Sequence, residues 1–130
     1  MKYLLDTNIV IDHFRDKPQV VLFLQKAKQL GFAISVISVG EIMEGLVGQP
    51  KEEQRHQDLE TFLTAGSVID VDRKIIEIVA RVRANLRRSG KLIENFNILI
   101  AAAAMKHNLI LVTNDKDFER IEGLKLKFIR

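Results

Sequence analysis

The sequence predicts an α/β fold, a sandwich with helices on both faces of a mostly parallel sheet. Short runs at 3–5 and 109–112 are continuously apolar, and those at 33–37 and 68–71 are broken only by Ser35 and Asp70, where strands exposed on one face would alternate throughout. Segments of helical periodicity separate successive runs. No repeat, linker or low-complexity tract interrupts the pattern. A chain of 130 residues suits a single domain, 1–130, able to bury a core without disulfides or a structural metal.

Taken in order, Lys2-Tyr3-Leu4-Leu5 gives the first strand and runs straight into Asp6-Thr7-Asn8. Asn8 to Phe14 fits a short helix, and Pro18 opens a longer one in which Val20, Val21, Phe23, Leu24, Ala27 and Leu30 share a face until Gly31 stops it. Residues 33–37 form a β-branched second strand. Ser38 then stands three residues before Glu41, the spacing of a capping box, which places Glu41 in the first turn of a third helix ended by Gly48-Gln49-Pro50. Residues 51–63 are polar until Leu59, Phe62 and Leu63, and read as a helix lying on the surface. Val68 to Val71 is the third strand. Asp72 caps a long helix whose Ile75, Ile76, Ile78, Val79, Val82 and Leu86 face the core, with Gly90 at its end. Ile98 to Met105, apolar almost all round and rich in alanine, predicts a buried helix that Asn108 terminates. A fourth strand, 109–112, a loop, 113–117, and a fifth strand, 124–129, complete the chain.

Composition narrows the function classes. There is no cysteine, so disulfide frameworks and thiolate metal sites are excluded, and a reducing, cytoplasmic setting is expected. The N-terminus shows no charged leader ahead of a long apolar core, and the longest apolar run, 98–105, is too short to span a bilayer. The net charge of +3 and the pI near 9.3 are mild. Their distribution is not: Arg81, Arg83, Arg87, Arg88 and Lys91 fall between Ile78 and Ile93 with no acid among them. That stripe is either a solvated helix face or a track for a polyanion such as RNA. The phenylalanines show no stacking platform of the kind RNA-recognition modules carry.

Three acids stand where strands end. Asp6 follows the first strand, Glu41 opens the helix after the second, and Asp115, with Asp117, follows the fourth. Parallel strands bring their carboxyl ends to one side of a sheet, so these distant residues share a rim. Singly, each has an ordinary role, as a helix cap, a capping-box partner and a turn residue. Together they conflict, because two carboxylates about 4 Å apart repel by roughly 4 kcal/mol at an effective dielectric near 20. They must protonate, spread apart or hold a cation. Only oxygen donors are offered, and His13, His56 and His107 show no ligand spacing, which suits Mg²⁺ or Mn²⁺. Such ions activate water and clamp phosphate oxygens, so phosphodiester hydrolysis is the natural chemistry beside a basic stripe.

Four segments carry a more specific signal: Asp6-Thr7-Asn8, Val39-Gly40-Glu41, the run from Glu94-Asn95-Phe96-Asn97 through Ile98-Leu99-Ile100-Ala101-Ala102, and Thr113-Asn114-Asp115-Lys116-Asp117-Phe118. Their order and spacing resemble those of PIN-domain ribonucleases, and the whole chain resembles toxins of the VapBC toxin–antitoxin type. The resemblance implies a three-layer α/β/α sandwich on a five-stranded parallel sheet, Mg²⁺-dependent endoribonuclease activity, a homodimer, and an antitoxin partner that occludes the site. Carried over by position, Asp6, Glu41 and Asp115 resemble the metal-binding acids, Asp117 a supporting carboxylate, and Thr7 and Asn8 groups that orient them. Asn97 departs from the pattern, because the family places an aspartate there. An asparagine keeps the shape and one carbonyl oxygen but brings no negative charge and cannot act as a base. It is compatible with a weakened or inactive member, with a substitution that tempers a toxic nuclease, or with Glu94 or Asp117 supplying the missing charge.

Other classes of function compete with the nuclease. A catalytically inactive module that binds RNA or an antitoxin is one, which cleavage assays with and without EDTA separate from the enzyme. A phosphoryl-transfer domain with Asp6 as acceptor is another, and it expects either an aspartate at position 8, where Asn stands, or a lysine at a later strand end, for which Lys116 is the one candidate. The helix 18–30 and the segment around Phe14 offer an apolar surface to an antitoxin helix, although most of their apolar residues suit the core.

Overall fold

The computed structural model describes residues 1–129. Five strands, β1 (Tyr3–Leu5), β2 (Phe32–Ser35), β3 (Ser67–Ile69), β4 (Ile110–Val112) and β5 (Leu126–Lys127), pair in the order β3-β2-β1-β4-β5. Every pairing is parallel, so the sheet is wholly and not just mostly so. Six α-helices connect them: α1 (Thr7–Phe14), α2 (Pro18–Leu30), α3 (Val36–Leu46), α4 (Glu52–Leu63), α5 (Arg73–Arg88) and α6 (Asn95–Lys106). A 3-10 helix, Lys116–Arg120, follows β4. No helix among the described residues is long and apolar enough to cross a membrane.

The strands are short and buried on both sides, and their alternation sorts the core into two layers. Leu4, Ala33 and Leu111 face α5 and α6, meeting Ile75, Val82, Leu86, Ile98 and the buried residues 100–104. Tyr3, Leu5, Phe32, Ile34 and Val112 face the other way, onto Ile9, Val20, Leu24, Ile42, Leu59 and Phe62 of α1 to α4. Each fully buried aliphatic side chain stabilises the fold by about 1.5–3 kcal/mol before entropy is counted. The three-layer α/β/α arrangement follows from this division.

Several boundaries differ from the sequence expectation. β2 ends at Ser35, not at 37: the Ser35 hydroxyl accepts from the Ile37 amide (3.1 Å), and the β-branched pair Val36-Ile37 opens α3. Ser38 is therefore no cap but a buried residue of the first turn, and Glu41 stands in the second turn. Ile76 is 48% exposed, on the flank of the stripe formed by Ile75, Val82 and Leu86. The expected loop after β4 is partly 3-10, with Asp115 as its cap, and the strands expected over 68–71 and 124–129 contract to Ser67–Ile69 and Leu126–Lys127. Asn108 adopts a left-handed φ of 53° just past α6, as its expected terminating role demands.

The direction of α5 is fixed by contacts at both of its ends. Asp72, which caps α5, receives a hydrogen bond from Lys106 at the end of α6, and Arg83 Nε donates to Asn95 Oδ1 (3.0 Å) at the start of α6. The two helices are therefore antiparallel. Because α6 leads into β4 through only residues 107–109, its first turn lies at the carboxyl ends of the strands. The second half of α5, with most of the basic stripe, lies beside that turn.

Gly66 admits the approach of β2. A Cβ built there would stand 2.7 Å from the Phe32 carbonyl oxygen and 2.6 Å from its ring. Backbone cannot yield cheaply, so Gly66→Ala is expected to destabilise the fold by about 2 kcal/mol, read as a lowered midpoint in urea with an unchanged slope.

Candidate active site

The strand order reverses direction at β1: the chain moves outward through β2 and β3 on one side and through β4 and β5 on the other. The carboxyl end of such a switch-point strand opens a crevice between diverging connections. Asp6 occupies it. Leu5 is in register with Ile34 and Val112, so Asp6 lies level with Ser35 and Thr113 at the ends of the two flanking strands. Its amide still donates to Val112 O (2.9 Å), which fixes the residue to the sheet before the chain turns into α1.

Only 4% of Asp6 is exposed. Its Oδ1 accepts from the Thr7 amide (2.8 Å), capping α1, and its Oδ2 accepts from the Thr113 hydroxyl (2.7 Å). Loss of water is the main reason that its carboxyl titrates above the ordinary value of 3.8. The hydrogen bonds from Thr113 and Thr7 oppose that rise, and the negative charges of Asp115 and Glu41 add to it. Those two carboxylates thus share the rim with Asp6, as the strand-end argument expects.

Each neighbour is held by a hydroxyl or an amide. Thr7 Oγ1 lies 2.7 Å from Glu41 Oε1 and 2.8 Å from Ser38 Oγ. One hydroxyl has one proton, so with Glu41 ionised Thr7 donates to the carboxylate and accepts from Ser38. On the other side the Asp115 amide donates to Thr113 Oγ1 (3.0 Å), and Asp115 Oδ1 accepts from the Asp117 amide (2.9 Å). Asp115 and Asp6 are therefore oriented through one threonine. Asp117 itself pairs with Arg120 at 3.6 Å. Sequence reasoning missed Ser38 and Thr113 as site residues. Hydroxyls directly after two strands flanking an acid were the available signal.

Other expected residues are placed differently. Asn8 is exposed on α1 and makes no hydrogen bond to the acids. Asn97 is half-buried in the first turn of α6, on the same rim, again without a hydrogen bond to them. Arg83 is tied to Asn95, two residues before Asn97, while Arg88 folds back onto Ala84 O and Asn85 Oδ1. Arg81, Arg87 and Lys91 are exposed, and none forms an ion pair among the described residues.

Among the described residues no three His, Asp or Glu side chains converge into a ready-made metal cage. The donors nevertheless fit a hard divalent ion. They are all oxygens, Asp6 is buried without a cationic partner, and Mg²⁺ is usually held by one or two carboxylates with water and phosphate completing its shell.

A family model for the PIN domain matches residues 3–124. The chain belongs to the PIN-domain family. This PIN domain is 35% identical over 130 residues to ribonuclease VapC2 of Rickettsia felis, covering 98% of this chain and 97% of that one. It is 32% identical over 126 residues to the tRNA(fMet)-specific endonuclease VapC of Shigella flexneri, covering 96% of each. The crystal structure of VapBC2 from Rickettsia felis bound to a DNA fragment superposes with a TM-score of 0.92 over the whole of both chains at 32% identity. DNA-bound VapBC from Salmonella typhimurium gives 0.91 over 98% of each at 28% identity. Within the PIN family the chain is VapC-like.

The raised Asp6 carboxyl carries a sign. Between the unfolded value and the higher folded one the native state binds the extra proton, so stability falls as pH rises through that window and the full cost persists above it. Asp6→Asn keeps the capping oxygen and removes the charge. In EDTA it is expected to raise Tm at pH 7, with the gain vanishing below pH 3.8; equal gains at both pH values would contradict a charge origin.

Proposed function

We propose that this PIN domain is a metal-dependent endoribonuclease, the toxin of a toxin–antitoxin pair, that hydrolyses RNA phosphodiesters over the pocket around Asp6. One observation carries the reading: a buried carboxylate without a cationic partner, at the sheet's switch point, made less acidic chiefly by burial and further by two neighbouring carboxylates. The names of the relatives from R. felis and S. flexneri, a ribonuclease and a tRNA endonuclease, support the reaction class. The R. felis and S. typhimurium neighbours are VapBC complexes, which supports an antitoxin partner. A homodimer and a cytoplasmic location complete the reading.

In this mechanism Asp6, Glu41 and Asp115 hold Mg²⁺ or Mn²⁺, with Asp117 as a flanking carboxylate and Asn97 offering a neutral oxygen. When bound, such an ion activates water and neutralises charge gathering on the phosphate. The chain's own residues supply aim. Thr7 fixes Glu41, Thr113 fixes Asp6 and the backbone of Asp115, and the Asp117 amide orients the Asp115 carboxylate. Arg83, Arg87, Arg88 and Lys91 beside the rim, with Arg81 farther along α5, bind phosphates flanking the scissile one. These contacts position the strand without reading its sequence. Overall, a water oxygen forms a bond to phosphorus, one phosphorus–ribose oxygen bond breaks, and the departing oxygen takes up a proton.

A second reading, a module that binds RNA or an antitoxin without chemistry, is favoured by Asn97, which withholds one negative charge from the metal. Cleavage of a mixed RNA pool, with Mn²⁺ or Mg²⁺ and with EDTA, separates the two. Metal-dependent cleavage that Asp6→Asn abolishes is expected. Asn97→Asp is expected to raise the rate by roughly 10- to 100-fold, the scale on which groups tuning a metal site act. RNA binding with no cleavage in either form would establish the non-catalytic module.

A further inference from the structure

Phe96 is the second residue of α6, between the Asn95 that anchors Arg83 and Asn97 at the rim. It is 49% exposed, although residues 98 and 100–104 of the same helix are buried. Phe14, Phe23, Phe32 and Phe62 each pack against another ring, and Phe118 is fully buried, while Phe96 does neither. Side chains in a first turn lean toward the helix N-terminus, and the N-terminus of α6 stands at the carboxyl-end rim of the sheet. Leu92, 41% exposed, precedes it in the connection from α5. Charges of both signs lie near it: Arg83 on Asn95, Arg87 and Lys91 exposed on α5 and its connection, Arg120, which donates to Leu92 O (3.3 Å) and pairs with Asp117, and the exposed Glu94 that precedes α6. An exposed aromatic ring with three cations on the neighbouring helix and its connection, one residue from Asn97 on the rim, suits an unpaired nucleobase. An aromatic ring accepts any base face, and a base paired inside a duplex cannot reach it.

We infer that Phe96 is a stacking platform for an unpaired RNA base adjoining the phosphate that the Asp6 site would hold. This inference rests on the nuclease reading above. The chain carrying Asn97 is titrated, in EDTA, into a fluorescent single-stranded ten-nucleotide RNA containing 2-aminopurine and into its blunt duplex. Tighter binding of the single strand, with a change in 2-aminopurine emission, is expected. Phe96→Ala weakens single-strand binding about tenfold while leaving the dependence of affinity on salt unchanged, because no phosphate contact is lost. Phe96→Trp retains affinity, and Phe96→Leu behaves like the alanine variant. Equal affinity of Phe96→Ala and the parent, or full rescue by leucine, overturns the inference alone. A change in oligomeric state with Phe96→Ala, seen by sedimentation, also overturns it and assigns the ring to a contact between copies. Failure of the parent chain to bind any RNA removes the nuclease reading as well.

Discussion

The structure turns on one carboxylate that three parallel strands enclose. Asp6 is held by the register of β1 with β2 and β4, and its two oxygens are committed to the start of α1 and to the first residue after β4. Two hydrogen bonds do not offset its loss of water while Glu41 and Asp115 stand nearby, so its carboxyl ionises less readily than a free one. Capping α1 alone could be done by a neutral asparagine or serine without burying a charge. Under the proposed function, a bound cation would offset the cost of the buried acid.

The acids are few, and hydroxyls do the arranging. Thr7 and Ser38 couple α1 to α3, and Thr113 couples β4 to β1. Each is buried, so its orientation is set by packing and by the one proton it has to give. The cationic side of the rim is built differently, from exposed arginines on α5 whose position depends on two side-chain contacts with α6. One side of the rim is rigid and anionic, and the other is solvated and cationic, a division suited to gripping a charged strand without fixing its sequence.

Much of this was legible in the sequence. Continuous apolar runs separated by helical segments can bury themselves only in a parallel sheet covered on both faces, and parallel strands oblige Asp6, Glu41 and Asp115 to share an edge. The details that escaped were those that local pattern does not encode. Ser38 and Glu41 have the spacing of a capping box, yet Ser35 captures the cap because β2 gives way to helix two residues sooner than its β-branched run suggests. Ile76 satisfies helical periodicity but falls outside the buried arc of α5. The antiparallel course of α5 and α6 depends on Asp72–Lys106 and Arg83–Asn95, pairs 34 and 12 residues apart, which no window along the chain reveals.

The placement of β4 between β1 and β5 has a temporal consequence. Asp6 is made well before its partner hydroxyl at Thr113, 107 residues further on, and before the carboxylate of Asp115 just beyond it. A nascent polypeptide lacking that segment has an open sheet edge where the pocket belongs. The acidic centre therefore comes into being only once β4 has joined the sheet and brought Thr113 and Asp115 to Asp6.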